Sequence, residues 1–367
     1  SSRAGGRTQL LTRLCRPAAS SQGIEMKVVV VGAGQIADAH IIEVGKIKSA
    51  SVVGLCDLFE SPLLALKEKY AIPHVDTDFV RLMELAQPDV VHITTPPTSH
   101  LFLAKQALAG GAHVYIEKPL TVTHAEAVEL FAAAKAADKQ VCIGTNRLFA
   151  RAQSAAITKI KAGELGQLTH VDAIFTYDLQ GIFGKQVLSN PEHWISKLPG
   201  QIFQNNLNHP LATVVPFLSD DFQVRAWADD WSGNGVVFDE LRVEIFDRAN
   251  KFTAHIVFSS NVKPGAFRVS YFGRRKTLFL DNNQNTLVES EPSKIPGTLG
   301  NIFAVRAMAK VLAKQFRRSL RRFVFGQDTF FTDMNELFRA FYDSIDGKGP
   351  APVPESDILR ASLIIDE

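Results

Sequence analysis

The chain has 367 residues, 46% of them hydrophobic and 21% charged, an ordinary balance for a folded globular protein and not for a disordered one. Forty basic side chains against 38 acidic leave a formal net charge of +2, so whole-chain charge argues against a nucleic-acid or other polyanionic partner. No apolar run approaches the length needed to cross a bilayer, and at this length two domains are the natural expectation.

Residues 1–25 carry Arg3, Arg7, Arg13 and Arg16, no acid before Glu25, and much Ser, Ala and Gly. That composition overlaps with organellar transit peptides. The simpler reading, preferred here, is a disordered tail ahead of a fold that starts at Met26. Cys56 and Cys142 sit in apolar runs and read as buried thiols of a reducing, cytoplasmic compartment.

The stretch Met26-Lys-Val-Val-Val-Val-Gly-Ala-Gly-Gln-Ile-Ala37 carries the strongest signal. Four consecutive valines read as a strand buried on both faces. Gly32, Gly34 and Ala37 then match the G-x-G-x-x-G/A spacing, with a helical pattern following over 36–46. The first glycine permits a tight turn, the second lets backbone amides approach a pyrophosphate, and the small third residue lets helix and strand pack closely. Gln35 and Ile36, at the head of that helix, join the expected dinucleotide contacts. A second strand over 51–57 ends in Asp57, placed where a ribose-binding carboxylate is expected.

Strands are further expected at 90–94, 113–117 and 140–144. Helices are expected at 61–70, 78–86, 99–110 and 123–138, with Asp78 and Ser99 as N-caps. Such alternation implies a doubly wound parallel sheet over 26–146. Beyond a helix at 150–162, strand-like segments at 168–177, 222–229, 236–246, 251–260, 267–273 and 276–281 alternate apolar and polar residues. That pattern suits a large, open, mainly antiparallel sheet in a second α/β domain over 147–350. Helical stretches return at 301–323 and 332–347, and residues 351–367 are expected to pack back toward the first domain.

The helix-like run 303–323 carries Arg306, Lys310, Lys314, Arg317, Arg318, Arg321 and Arg322 beside an apolar stripe that includes Met308, Val311, Leu312, Phe316 and Leu320. The preferred reading is a solvated basic face over a packed stripe. The alternative is contact with an anionic membrane surface or a diphosphate.

Candidate chemistry sits at strand ends. Val90-Val-His-Ile-Thr-Thr-Pro-Pro-Thr-Ser-His100 is a strand breaking into a Thr/Pro loop, which offers Thr94, Thr95, Pro96 and His100 as cofactor contacts, while His92 reads as a packed histidine. Glu117-Lys118-Pro119 follows the strand over 113–117. The proline biases its predecessor toward extended geometry, so the loop can hold the Lys118 ammonium in a fixed direction beside a nicotinamide. There it can exchange a proton with a substrate hydroxyl. No His-Glu-x-x-His run or cysteine pair supports a metal.

These residues, together with Gly144-Thr-Asn-Arg147, occur in the order seen in the glucose–fructose oxidoreductase / inositol dehydrogenase (Gfo/Idh/MocA-type) family, which the chain resembles from Met26 to Glu367. Glu-Lys-Pro is the most specific element. The resemblance implies an N-terminal Rossmann domain, a C-terminal α/β domain whose open sheet mediates homo-oligomer contacts (dimer or tetramer), and NAD(P)-dependent oxidation or reduction of a sugar, cyclitol or nucleotide-linked sugar. The family's second motif, Gly-Gly-x-x-x-Asp-x-x-x-His-x-x-Asp, matches Gly200-Gln-Ile-Phe-Gln-Asn205-Asn-Leu-Asn-His209-Pro-Leu-Ala212. His209 is kept, while Asn205 and Ala212 replace the aspartates. The implied catalytic pair is Lys118 and His209, with Arg147, Tyr177, Trp194 and Asn205 as candidate substrate contacts. Asp57 favours NAD over NADP, because a carboxylate repels a 2′-phosphate. The missing aspartates keep open a non-catalytic NAD-binding regulator or scaffold, and some members are hydrolases that use NAD within a redox cycle.

Overall fold

In the computed structural model, residues 25–292, 295–325 and 331–367 are described. The expectation for the N-terminal tail lies outside them. The buried Val28, Val29 and Val30 make β1 (Met26–Val31) a central strand. It is followed by α1 (Gln35–Gly45), β2 (Ala50–Cys56), α2 (Glu60–Tyr70), β3 (His74–Asp76), α3 (Phe79–Ala86), β4 (Val90–Ile93), α4 (His100–Ala109), β5 (His113–Ile116), α5 (His124–Ala136) and β6 (Val141–Ile143). The sheet order β3-β2-β1-β4-β5-β6 places β1 and β4 side by side, and the pairs β3–β2, β2–β1, β1–β4 and β4–β5 are parallel. The chain reverses direction of travel across the sheet between β1 and β4, and such a switch point opens a crevice at the strand ends. The short β3 is an element the hydrophobic pattern did not reveal.

Capping explains some boundaries. Asp78 accepts from the amides of Val80 and Arg81 and starts α3 as expected. Ser99 precedes α4, but its hydroxyl turns to Thr95 and to the carbonyl of Pro96, so it does not cap the helix.

The second sheet has seven strands: β7 (Leu168–Thr176), β8 (Phe222–Asp229), β9 (Glu240–Asp247), β10 (Phe252–Ser259), β11 (Phe267–Gly273), β12 (Thr277–Asp281) and β13 (Thr286–Ser290). Their order is β13-β12-β11-β7-β10-β9-β8, antiparallel except where β7 pairs with β10. The strand expected from 236 begins at Glu240, because Asp239 accepts the amides of Trp231 and Ser232 and so holds the preceding residues in a turn. Around this sheet lie α6 (Arg151–Lys161), α7 (Ile182–Ser189), α8 (Gln201–Asn206), α9 (Asn208–Leu211), α10 (Gly297–Val324), α11 (Thr332–Ile345) and α12 (Glu355–Asp366). None of the 182–211 helices or β13 stood out in the sequence, being short and without long periodic runs.

Contacts divide the chain into two units that interleave along the sequence. One contains the chain up to Glu117 with Leu130–Cys142 and Phe341–Pro350; the other contains Lys118–Glu129, Ile143–Ala340 and Ala351–Glu367. The sequence reading drew one boundary after residue 146 and set 351–367 against the first domain. The segment 351–367 falls in the second unit, and its Ser362 and Asp366 bond the side chain and amide of His124, a residue within the 26–146 stretch toward which the segment is expected to pack.

Phe258 on β10 is fully buried in the second unit, with its ring 5.0 Å from that of Phe203 and 5.7 Å from that of Phe175. Truncating it leaves a cavity as well as losing apolar burial. Phe258→Ala should therefore lower unfolding free energy by about 3–5 kcal/mol, read from denaturant melts; a loss below about 1 kcal/mol would contradict this packing.

Candidate active site

The carboxyl ends of β1, β2 and β4 assemble a cradle in the first unit. Gly32 has φ +99°, and a Cβ there would stand 3.0 Å from the backbone carbon and Oγ1 of Thr94 and from Cγ2 of Thr95. Only glycine tolerates both that left-handed backbone and that crowding. Thr94 clasps the turn, its hydroxyl lying 2.9 Å from the Val31 carbonyl and 2.8 Å from that of Gly32. Gly34 is different: a Cβ there meets nothing within 4 Å, and no side chain caps α1 behind it. Exposed Gln35 and half-buried Ile36 open the helix, while Ala37 is buried against the sheet. An open glycine ahead of uncapped helix amides leaves donors and the positive end of the helix dipole for an anionic group.

Asp57 is fixed at the end of β2. One carboxylate oxygen accepts from the Ala33 amide at 2.6 Å, the other from the Phe59 amide at 3.0 Å. Its partial exposure leaves it able to meet a ribose. In the β4 loop, Thr95 is half-buried and Pro96 exposed, whereas His100 is fully buried with its Nε2 2.7 Å from the Thr95 carbonyl oxygen. His100 thus shapes the loop from beneath. The thiol of Cys56 is pushed up to about 12 by burial and then by neighbouring carboxylates, and that of Cys142 is raised by burial, so neither is a nucleophile.

Glu117 ends a buried polar chain that the sequence did not disclose. His40 Nε2 lies 3.1 Å from Glu117 Oε1, and His40 Nδ1 lies 3.0 Å from His92 Nδ1. His92 Nε2 in turn lies 2.9 Å from the Tyr342 hydroxyl, with Tyr115 stacked on its ring. Burial, then the neighbouring His40, hold His92 well below the usual imidazole range. The packed histidine expected at His92 is therefore also a hydrogen-bonded one. Nothing in the spacing of four residues so far apart in the chain could have found this row; only a lone histidine on the apolar face of α1 hinted at it.

In the second unit Lys118 bonds to Asn205, and its charge reaches His209. The Lys118–Pro119 peptide is cis. The Lys118 ammonium donates to Asn205 Oδ1 at 3.1 Å and to the Asn205 carbonyl at 3.2 Å. Asn205, on α8, and His209, on α9, are four residues apart and share a helical face. His209 stacks on Phe175 of β7 at 5.6 Å, and its Nδ1 is buried without a hydrogen-bond partner among the described residues. Burial first, then the charges of Lys118 and Arg147, hold His209 well below the ordinary imidazole range. It is a neutral base at neutral pH. Arg147 also lies 3.7 Å from Asp333.

Tyr177 and Trp194 pack on the edge of the second core, and burial pushes the Tyr177 phenol up to about 12. A cavity of about 260 Å³ lies on another face of the 208–216 segment, lined in part by Asn208, Ala212 and Val353, and contains none of Lys118, Asn205 and His209. The position where the family pattern has its last aspartate thus faces this separate, largely apolar space. The sheet also brings His170, Asp172 and His255 within 4.8 Å of one another, a grouping visible in sequence only as the i, i+2 pair on β7. His170 Nε2 lies 2.8 Å and His255 Nδ1 3.5 Å from Asp172 Oδ1.

If two cations depress the His209 pKa, removing one must raise it. Arg147→Ala should shift the NMR titration of His209 upward, toward the ordinary imidazole range, and an unchanged or lowered midpoint would refute this electrostatic account.

The sequence and the fold have known relatives. Residues 26–145 match the GFO_IDH_MocA family, described as an oxidoreductase family with an NAD-binding Rossmann fold. The chain is 24% identical over 201 residues to glycosyl hydrolase family 109 protein 1 of Akkermansia muciniphila, across 51% of this chain and 42% of that protein. It is 29% identical over 168 residues to D-glucoside 3-dehydrogenase of Escherichia coli, across 46% of this chain and 48% of that protein. The matched stretch therefore spans less than half the length of these relatives. The WlbA dehydrogenase from Bordetella pertussis, crystallised with NADH and UDP-GlcNAcA, shares the fold over 93% of this chain and 94% of its own, with a TM-score of 0.74 at 14% identity. Over residues 26–145 the chain is thus similar to the Gfo/Idh/MocA-type family and its NAD-binding Rossmann fold.

Proposed function

We propose that the chain is an NAD-dependent dehydrogenase acting on a hydroxyl carbon of a sugar-type substrate. One observation carries this reading: Lys118 is anchored on Asn205 and charges the surroundings of a neutral His209 whose buried Nδ1 has no partner among the described residues. The cradle suits the cofactor, with its pyrophosphate at the open Gly34 and the α1 amides and its adenosine ribose on Asp57.

NAD held in that cradle would supply the acceptor for a hydride from the carbon bearing the substrate hydroxyl. His209 accepts the hydroxyl proton, and the Lys118 ammonium stabilises the oxygen as it gains negative charge. The imidazolium so formed is disfavoured by the same two cations, which promotes its discharge. Asn205 holds Lys118 in place. Having an amide, it accepts a hydrogen bond without taking the proton as a carboxylate can. Glu117, directly before Lys118, is fixed from behind by His40 and ties the loop to the buried row.

The likeness to dehydrogenases of glucosides and the shared fold with a protein holding UDP-GlcNAcA support a sugar or nucleotide-linked sugar as substrate. The exposed Ile174, Trp227 and Phe279 on the second sheet support contact between copies of the chain, and the two buried thiols suit a cytoplasmic setting. A second reading, NAD-dependent redox cleavage of a glycoside, draws on the likeness to the Akkermansia hydrolase. It requires glycoside cleavage without net NADH formation.

Turnover with a panel of glucosides, inositols and UDP-sugars, followed by NADH absorbance, tests the main reading. Lys118→Ala should lower kcat about a hundredfold to ten-thousandfold while leaving NAD affinity nearly unchanged; equal turnover in both forms rejects the role. Gly34→Ala should unfold at the wild-type denaturant midpoint yet weaken NAD binding, since the new Cβ meets nothing within 4 Å in the protein and would stand where the pyrophosphate approaches. Retained NAD affinity in that variant would displace the cofactor from this turn.

A further inference from the structure

The helix α10 runs 28 residues, about 42 Å at the usual rise of 1.5 Å per residue. Among the described elements it packs chiefly on β13, where the Gln315 amide donates to the Leu287 carbonyl at 2.5 Å. The apolar stripe expected to be packed is not. Val305, Leu312, Phe316, Leu320 and Phe323 recur at spacings of seven, four, four and three residues, hence on one face, and are between 44% and 76% exposed. Beside them Arg306, Lys310, Arg317 and Arg321 form a second row on an adjoining face. The helix contains no aspartate or glutamate.

We infer that α10 is a peripheral membrane anchor that lies in the headgroup layer of an anionic lipid surface. An aromatic and aliphatic row with a cationic row along one helix is the pattern that buries its apolar face at the acyl boundary while the basic side chains meet lipid phosphates. Among the described residues, no helix is long and apolar enough to cross a membrane, so α10 lies on the surface without spanning it. A second copy of the chain seated on the same stripe would bring two basic rows together with no acid in either helix to offset them. A nucleic acid would satisfy the charge and leave the phenylalanines in water. Only a surface that is anionic outside and apolar beneath satisfies both rows. This inference is independent of the redox reading: it uses no residue of the NAD cradle or of the Lys118 site.

The test is co-sedimentation of the full chain with vesicles of phosphatidylcholine alone and of phosphatidylcholine with phosphatidylglycerol. The chain should pellet with the anionic vesicles, stay in solution with the neutral ones, and be released progressively by salt. The pair Arg317→Glu with Arg321→Glu should lower the partition coefficient by more than about tenfold. Phe316→Ser, Leu320→Ser and Phe323→Ser combined should do the same at unchanged charge. Wild-type denaturant midpoints in both variants establish that the fold is kept. No pelleting on anionic vesicles, or equal pelleting on both kinds, overturns the proposal. So does a wild-type chain that ignores vesicles but whose oligomer falls apart in the serine variant, which would assign the stripe to a second copy.

Discussion

The polar centre of the second unit depends on one electrostatic constraint: a lysine ammonium is received by an amide where the family pattern has a carboxylate. A carboxylate at position 205 would offset the charge of Lys118. The Asn205 side chain accepts its hydrogen bond without doing so, and the positive charge is then felt at the half-buried imidazole of His209. Burial does most to keep His209 neutral, and the uncompensated Lys118 charge adds to it. Arg147 acts in the same direction.

The first unit solves a different problem, that of holding backbone donors open. Gly32 is crowded and left-handed, so the turn is closed; Gly34 is open where a Cβ would stand, so the turn can receive a ligand. Thr94 reaches across from β4 to the carbonyls of β1, which makes the position of the turn a property of two paired strands. Behind the adjoining strand end, the row Glu117–His40–His92–Tyr342 replaces what would be an apolar core with hydrogen bonds, and burial keeps His92 uncharged within it. A satisfied buried polar row constrains the side chains it joins more narrowly than apolar packing does.

Net charge is a poor guide to local partners in this chain. A balance of +2 conceals one helix with seven basic side chains and no acid, from Arg306 to Arg322. The periodicity of that helix was legible from the sequence, but its environment was not. The same apolar stripe would serve equally well packed or exposed, and only the absence of a covering element among the described residues distinguishes the two.

What the sequence determined by itself was local. Four valines, two glycines and an acid at the end of the next strand sufficed for the dinucleotide fold, because a βαβ turn is made by neighbours in the chain. Period-two alternation likewise disclosed six of the strands in the second sheet. Tertiary structure alone decided the rest, since those contacts close over long sequence separations: Lys118 onto Asn205, His40 onto His92 and Glu117, and α12 onto His124. It also decided that Lys118 groups with the unit of His209 and not with the strand that precedes it, because the unit to which a side chain belongs is set by what it packs against and not by its place in the chain.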